Sequence, residues 1–438
     1  MPQLNLVLGL LAAVAALAAL GRRAGLPGPI VFALGGLALA LIPGLPRVAL
    51  DPDLVLVVFL PPLVFAAAQG TTWAEVRALA RPIALLAVGL VLVTMAAVAA
   101  VAHAVFPDMP WAAAFTLGAV VAPPDTVAAK AVAERLRLPR PLVAVLEGEG
   151  LFNDAVALVA FQIASAVAVS GAAFVPGAAA LALLRAAVVA AVVGVALGWL
   201  GRHVLARVGD PPAEATVTLL LPFAAYLGAE HWHGSGVVAV LALALYLNRF
   251  RDDARLPFAR GHTRALWDTL DFLLTGLSFV LVGLQLRSAV MGRPDRLPPG
   301  FVVAAAALVS LTVIVVRLGW VFGTAWAARP GRAPLDRRLL AVTGWAGMRG
   351  VVSLAVALSL PTTTAAGASF KHRSAIVFIT FVVIFVTLVG QGLTLPVLIR
   401  RLGIAGGEGD AGHELPAGAD RPIGADGARE PQPVAAAR

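Results

Sequence analysis

From Leu4 to Ile399 the chain is a succession of apolar runs separated by short stretches of glycine, proline and arginine, a pattern that only a lipid bilayer accommodates. Of its 438 residues, 60% are hydrophobic and 13% charged, whereas soluble domains carry about 25% charged residues. The runs lack the alternation of membrane β-strands, so the chain is expected to be an all-α polytopic membrane protein. About thirteen candidate spans follow, near 4–20, 29–42, 53–68, 82–106, 111–136, 141–169, 186–205, 215–228, 236–247, 265–286, 301–327, 339–360 and 375–399. The run from Leu4 to Leu20 has no charged start and no cleavage site, and reads as a retained helix rather than a signal peptide.

Charge supplies an independent check on this count. With thirteen spans and the N-terminus outside, the inner loops and helix ends receive 21 arginines and lysines and the outer ones 7. Such an alternating bias is what the positive-inside rule requires, and dropping one span would spoil it. The net charge of +9 therefore reflects membrane topology, and nucleic acid is not an expected partner. From about 402 to 438 the sequence turns to glycine, alanine, proline and acids without an apolar period, which predicts a disordered cytoplasmic tail. No cysteine is present, and no glycine-rich loop ends in Lys-Ser or Lys-Thr. Thiolate sites, an ATP-driven motor in this chain and any resident cofactor are accordingly not expected, nor is enzymatic activity.

The charges inside the spans carry most of the functional information. An ionised side chain at mid-membrane depth costs at least about 2.5 kcal/mol, so each must meet a partner or a water-filled cavity. "LEGEGLFNDAVALVAF" puts Glu147, Glu149, Asn153 and Asp154 in the sixth run. At about 1.5 Å per residue, Asp154 lies roughly 20 Å from Pro141, inside a core about 30 Å thick. In the fifth run Pro123 and Pro124 remove backbone donors and should break the helix near the midplane, immediately before Asp125. In the twelfth, Gly344, Gly347 and Gly350 surround Arg349 at a similar level. Two interrupted helices entering from opposite sides is the arrangement of transporters built from inverted repeats.

Carboxylates without thiolates or a histidine cluster suit protons and hard monovalent cations. An acid that binds either species, exposed alternately to the two sides, is an antiporter. Glu149 and Asn153 share one helix face, and Glu147, two turns from Asp154, is an acid on the path by which ions would enter. Arg317 reads as a snorkelling residue near the inner end of the eleventh span, and Asp268 and Asp271 as helix-start acids of the tenth. The histidines of "HWHG", from His231 to Gly234, read as loop residues rather than a metal site. A hydrolase would need more than Gly234-Ser235-Gly236, and a channel would need filter loops or rings of charge.

The segments "GEGLFNDAVALV", "VVAPPDTVAAKAV", "WDTLDFLLTGLSFVLVGLQL" and "GWAGMRGVVSLAVALSLP" resemble, in this order, the bacterial sodium/proton antiporters of the NhaP and sodium/proton exchanger branch of the monovalent cation/proton antiporters. The resemblance extends from about residue 4 to 401. It implies that Asp154 carries the ion and proton, that Asp125 at the helix break joins it in holding sodium, and that Asn153 is a structural neighbour. It also implies an ion pair between Glu149 and Arg349. A homodimer embedded in lipid is implied too, with a dimerisation part near 4–68 and 215–286, a transport part near 82–169 and 301–400, and a linking helix near 186–205. Pro124-Asp125-Thr126 stands where relatives have Thr-Asp-Pro, and Gly150 where they often have serine. Both departures are expected to remove a hydroxyl that can ligate the cation, which bears on selectivity between sodium and potassium. The expected activity is exchange of sodium, or alternatively lithium or potassium, for protons.

Overall fold

A computed structural model describes residues 2–42, 52–69, 73–173, 175–250, 261–285, 298–327 and 336–404. Each apolar run lies on a helix or a helix pair. Eight elements are long and apolar enough to cross a membrane: Asn5–Ala24, Ala80–Val105, Trp111–Arg135, Arg140–Ser170, Ala180–Leu205, Thr263–Leu284, Gly300–Ala325 and Arg373–Arg401. Gly28–Ala40, Val55–Gln69 and Gly236–Asn248 are shorter apolar helices. The runs near 215–228 and 339–360 form Pro211–His231 and the pair Arg337–Trp345 and Val351–Leu358. The figure of about thirteen is thus a count of apolar runs, not of full-length spans. Among the described residues the only β pairing is an isolated bridge between Thr363 and Ser369.

From residue 405 onward the expected tail lies outside the described residues, as do loop arginines such as Arg47, Arg255, Arg293 and Arg332. The outward face of Pro176–Leu205 shows Leu181, Leu184, Val192 and Trp199 exposed, a surface suited to lipid.

Hydrocarbon cannot drive helices together by the hydrophobic effect, so close backbone approach has to do so. Glycines mark these approaches. A Cβ on Gly36 would overlap the Val280 carbonyl and one on Gly283 the Ala33 carbonyl, so Gly28–Ala40 and Gly261–Leu284 interlock reciprocally. Gly118 meets the Met95 carbonyl and Gly194 the Ala239 carbonyl in the same way.

The helices sort into two packing groups. In one, Gly261–Leu284 packs on Gly28–Ala40, Pro52–Gln69 and Pro211–His231, and Gly236–Asn248 packs on Pro52–Gln69 and Pro211–His231. In the other, Ala80–Val105, Trp111–Arg135 and Arg140–Ser170 pack with Pro299–Ala327, the second helix pair and Arg373–Arg401. Each triplet of this second group is a long helix, a broken helix and another long helix.

Two π-helical segments, Leu85–Leu90 and Val386–Gln391, interrupt the outermost spans of the second group. Such segments misalign backbone groups that a regular helix would pair. At the first, the Trp320 indole donates to the Leu85 carbonyl at 2.9 Å. The interlock at Gly36 yields a prediction: Gly36→Val should lower the thermal midpoint of the detergent-solubilised chain, because overpacking costs about 1–3 kcal/mol. Gly9→Ala, where a Cβ meets nothing within 4 Å, should leave it unchanged. Equal midpoints in a tryptophan-fluorescence melt would show that the crossing is not tight.

Candidate ion-binding site

Two helix breaks meet here, backbone against backbone. Trp111–Val121 stops ahead of Pro123 and Pro124, whose missing donors and ring clashes end it, and the chain restarts at Thr126–Arg135. Arg337–Trp345 stops where the glycine-containing segment 346–350 begins, and Val351–Leu358 follows. The Asp125 amide donates to the Met348 carbonyl at 2.6 Å, which ties the two breaks together.

A helix that ends in mid-membrane leaves carbonyls without partners and the negative end of its dipole exposed. Two buried arginines answer them. Arg349 donates from Nε to the Val121 carbonyl at 3.0 Å, from Nη2 to the Ala122 carbonyl at 3.2 Å, and from Nη1 to the Gly347 carbonyl. Arg317 donates from Nε and Nη2 to the Thr343 carbonyl at 3.2 and 3.1 Å. Each guanidinium thus sits at the C-terminal end of one half-helix. The Arg349 amide donates in addition to Thr387 Oγ1, in the second π-helical segment, at 3.1 Å.

This geometry corrects two sequence expectations. Glu149, fully buried, pairs with Arg317 and not with Arg349: Nη1 donates to Oε1 at 2.5 Å and Nη2 to Oε2 at 2.8 Å. The donors of Arg349 are taken up by the carbonyls of the breaks, which leaves the bidentate role to an arginine on an unbroken helix. Arg317 is therefore not a snorkelling residue; its exposure is 0%. Its helix, Pro299–Ala327, has 29 residues, about 43 Å at the usual rise and longer than the hydrocarbon core, so depth counted from one end misplaces it.

Asp125 caps Thr126–Arg135, with Oδ1 accepting from the Val127 amide at 2.9 Å. Its other carboxylate oxygen lies against Gly350, at the start of Val351–Leu358, where a Cβ would collide with it. The positive ends of two half-helices thus converge on one carboxylate. Asn153, fully buried, donates to the Pro124 carbonyl at 2.8 Å, which pins the carboxylate helix to the first break.

Asp154 and Asp125 line one cavity together with Thr126, Gly150, Ser353, Thr275 and Ser278. It has about 60 Å³ open to the centre of a water molecule. At roughly 10–15 Å³ per water, a few waters or a partly hydrated cation fit. From Asp154 the cavity reaches past Gly150 to Thr126 and Val127, toward the helix ends that carry Lys130, Arg135 and Arg140. In the other direction, among Val120, Ala157, Leu158, Val352 and Val356, the space beside Asp154 shrinks to about 10 Å³.

Glu147 does not line this cavity. It is held between Lys130 Nζ at 3.1 Å and Arg140 Nη1 at 3.3 Å, while Arg140 also reaches Glu75 at 3.1 Å. Among the described residues no group of three or more His, Asp or Glu is placed to hold a metal ion.

A multi-pass helical protein with two carboxylates between crossed, broken helices has the architecture of a secondary ion transporter. A model of the transmembrane sodium/hydrogen exchanger family matches residues 9–401, and the chain belongs to that family. It is 37% identical over 407 residues to an uncharacterised Na(+)/H(+) exchanger of Mycobacterium tuberculosis, covering 91% of this chain and 74% of that one. The sodium, potassium, lithium and rubidium/H(+) antiporter of Bacillus subtilis is 33% identical over 389 residues, which cover 85% of this chain and 58% of the relative. In fold the chain is similar to the sodium proton antiporter MjNhaP1 of Methanocaldococcus jannaschii. There the TM-score is 0.70 at 18% identity, over 91% of this chain and 98% of that one.

The pairing of Glu149 generates a second prediction. Removing one partner strands a buried charge at a cost of about 3–5 kcal/mol, so Glu149→Gln and Arg317→Met should each lower thermal stability more than the double variant does. Glu149→Gln and Arg349→Met should couple less strongly, since these two side chains share no hydrogen bond. A double-variant cycle read by thermal shift checks both statements, and strong coupling of Glu149 to Arg349 alone would contradict the geometry.

Proposed function

We propose that the chain exchanges sodium for protons across the cell membrane, one for one, with Asp154 as carrier and Asp125 as its partner. The observation that carries this reading is the cavity shared by the two carboxylates at the crossing of the broken helices. Membership of the exchanger family and the names of the relatives supply the reaction class. The name of the Bacillus subtilis relative adds lithium and potassium to the cations worth testing.

Charge balance supports the one-for-one ratio. Glu149 and Arg317 neutralise each other. Asp125, Asp154 and Arg349 remain, with formal charges that sum to −1. One proton or one sodium ion brings the group to zero, and a neutral group crosses hydrocarbon at far lower cost than a charged one. Neither proton nor cation leaves a net charge to move, so the cycle is electroneutral.

The narrowing beyond Asp154 favours alternating access over a channel, since a conducting pore needs a continuous path. In this reading the helices near 82–169 and 301–400 move as the transport part. Those near 4–68 and 215–286 stay fixed and form a homodimer in the lipid, linked through 186–205. The charge bias of the loops supports an outer N-terminus and a cytoplasmic C-terminus, with the cavity open to the cytoplasm. Asp125, Asn153, Glu149 and Arg349 then hold the geometry in which Asp154 works, and Glu147 braces the cytoplasmic end of the first broken helix.

Proteoliposomes containing a pH-sensitive dye and pulsed with sodium chloride test this reading. Asp154→Asn should abolish exchange while the protein still inserts, because an amide cannot bind and release the proton. Sodium-driven proton efflux at the wild-type rate in that variant would overturn the site assignment. Because proton and cation compete, the half-saturating sodium concentration should rise by about tenfold per unit fall in pH on the acid side. A potassium diffusion potential should drive no net sodium movement when proton and sodium gradients are absent, although moved charge would couple at about 2.3 kcal/mol per 100 mV. Sustained sodium uptake under that potential would refute the one-for-one ratio.

A further inference from the structure

Two carboxylates alone make a poor site for a partly dehydrated sodium ion, which requires several oxygen ligands, neutral ones among them. The backbone oxygens nearest the crossing are already engaged. The Pro124 carbonyl accepts from Asn153, and the Val121 and Ala122 carbonyls accept from Arg349. Side-chain oxygens on the cavity wall and water are free of that competition.

Thr126 stands out among the candidates. It follows Asp125 directly, at the start of Thr126–Arg135, and lines the same cavity as both carboxylates. Its hydroxyl points at Gly150, one turn before Asp154 on the carboxylate helix, and a Cβ at Gly150 would overlap Thr126 Oγ1. The two positions thus compete for one volume: a side chain on the helix, or a hydroxyl arriving from the break. Here the helix is bare and the hydroxyl is present.

A second observation places an unsatisfied hydroxyl on the same cavity. Thr275, on the facing wall, is 8% exposed, and its buried hydroxyl has no hydrogen-bond partner in the protein. Buried hydroxyls are normally satisfied by protein or by ordered water, so water or a hydrated ion is the expected neighbour of this one.

We propose that the Thr126 hydroxyl is a neutral ligand of the transported cation, admitted by the absence of a side chain at Gly150, and that it biases the site toward small cations. Resting on the exchange reading above, this inference names a determinant of its specificity. The bias follows from distance. The attraction between a cation and a fixed dipole falls steeply with separation, so lithium and sodium, which approach an oxygen more closely than potassium, lose more when it is removed.

The experiment compares sodium, lithium and potassium pulses on the full chain in dye-loaded proteoliposomes. The panel is wild type, Thr126→Val, Thr126→Ser, the double variant Thr126→Gly with Gly150→Ser, which also removes the Thr126 Cβ that a Cβ at Gly150 would overlap, and Asp154→Asn. Thr126→Val keeps the shape and removes the hydroxyl. It should raise half-saturating sodium and lithium about tenfold, the equivalent of about 1.4 kcal/mol, and potassium by less than about twofold. Thr126→Ser should behave as wild type. The double variant, which returns a hydroxyl from the opposite side, should regain most of the sodium preference.

Unchanged sodium and lithium affinity in Thr126→Val, with exchange abolished in Asp154→Asn, would reject the inference and leave the exchange reading intact. Equal losses for all three cations that neither Thr126→Ser nor the double variant repairs would assign Thr126 a purely structural role and also reject it. If Thr126→Val fails to insert, the double variant decides: potassium-like handling of sodium there contradicts the proposal. Exchange that survives Asp154→Asn would reject the underlying reading itself.

Discussion

The contact between a guanidinium and the unpartnered carbonyls of a broken helix is the interaction on which the rest of this structure depends. Breaking two helices in mid-membrane opens a place for an ion but leaves backbone oxygens facing hydrocarbon, at several kcal/mol each if unanswered. Arg349 covers the end of Trp111–Val121, and Arg317 reaches Thr343 near the end of Arg337–Trp345. Each arginine then needs a compensating negative charge. Glu149 supplies it for Arg317 through two hydrogen bonds, whereas the side-chain donors of Arg349 go to the backbone carbonyls of the breaks. With Glu149 paired to Arg317, the formal charges of Asp125, Asp154 and Arg349 sum to −1 once the breaks have been stabilised.

The same arrangement separates structural from exchangeable charge. Glu149 is fully buried and held by two donors of one guanidinium. Asp154 instead lines both the larger cavity and the smaller space beside it. Asn153 fixes the height of Asp154 relative to the first break through the Pro124 carbonyl. A neutral amide does this without adding a further acid beside Asp154.

Much of the fold was legible in the sequence because its signals are local. Pro123 and Pro124 remove two donors and break their helix just before Asp125, whereas Pro61 and Pro62 pass within the unbroken Pro52–Gln69, so the acid after the prolines marks the break; the glycines from 344 to 350 allow the second one. Asp154 and Asp125 stood out because acids are costly in an apolar run. The pairing of Glu149 was not legible. It depends on which arginine is captured by which carbonyls, a matter of tertiary geometry that spacing along one helix does not encode. Arg317 was misplaced for a related reason: a 29-residue helix overruns the bilayer, and its ends do not mark the membrane surfaces. The π-helical segments leave no residue signature at all. The Thr126–Gly150 contact joins two breaks in pattern that look unrelated in sequence and become complementary only in space.

The central claim is that proton and cation compete for one carboxylate site, and proton release on cation binding tests it without any membrane. Purified full-length protein in weakly buffered detergent solution, held at a pH where the site is protonated, would be titrated with sodium chloride against choline chloride while a pH indicator is followed. The account predicts release of about one proton per chain, saturating with sodium, and none from Asp154→Asn. Sodium binding detected by calorimetry at the same pH with no proton released would contradict it.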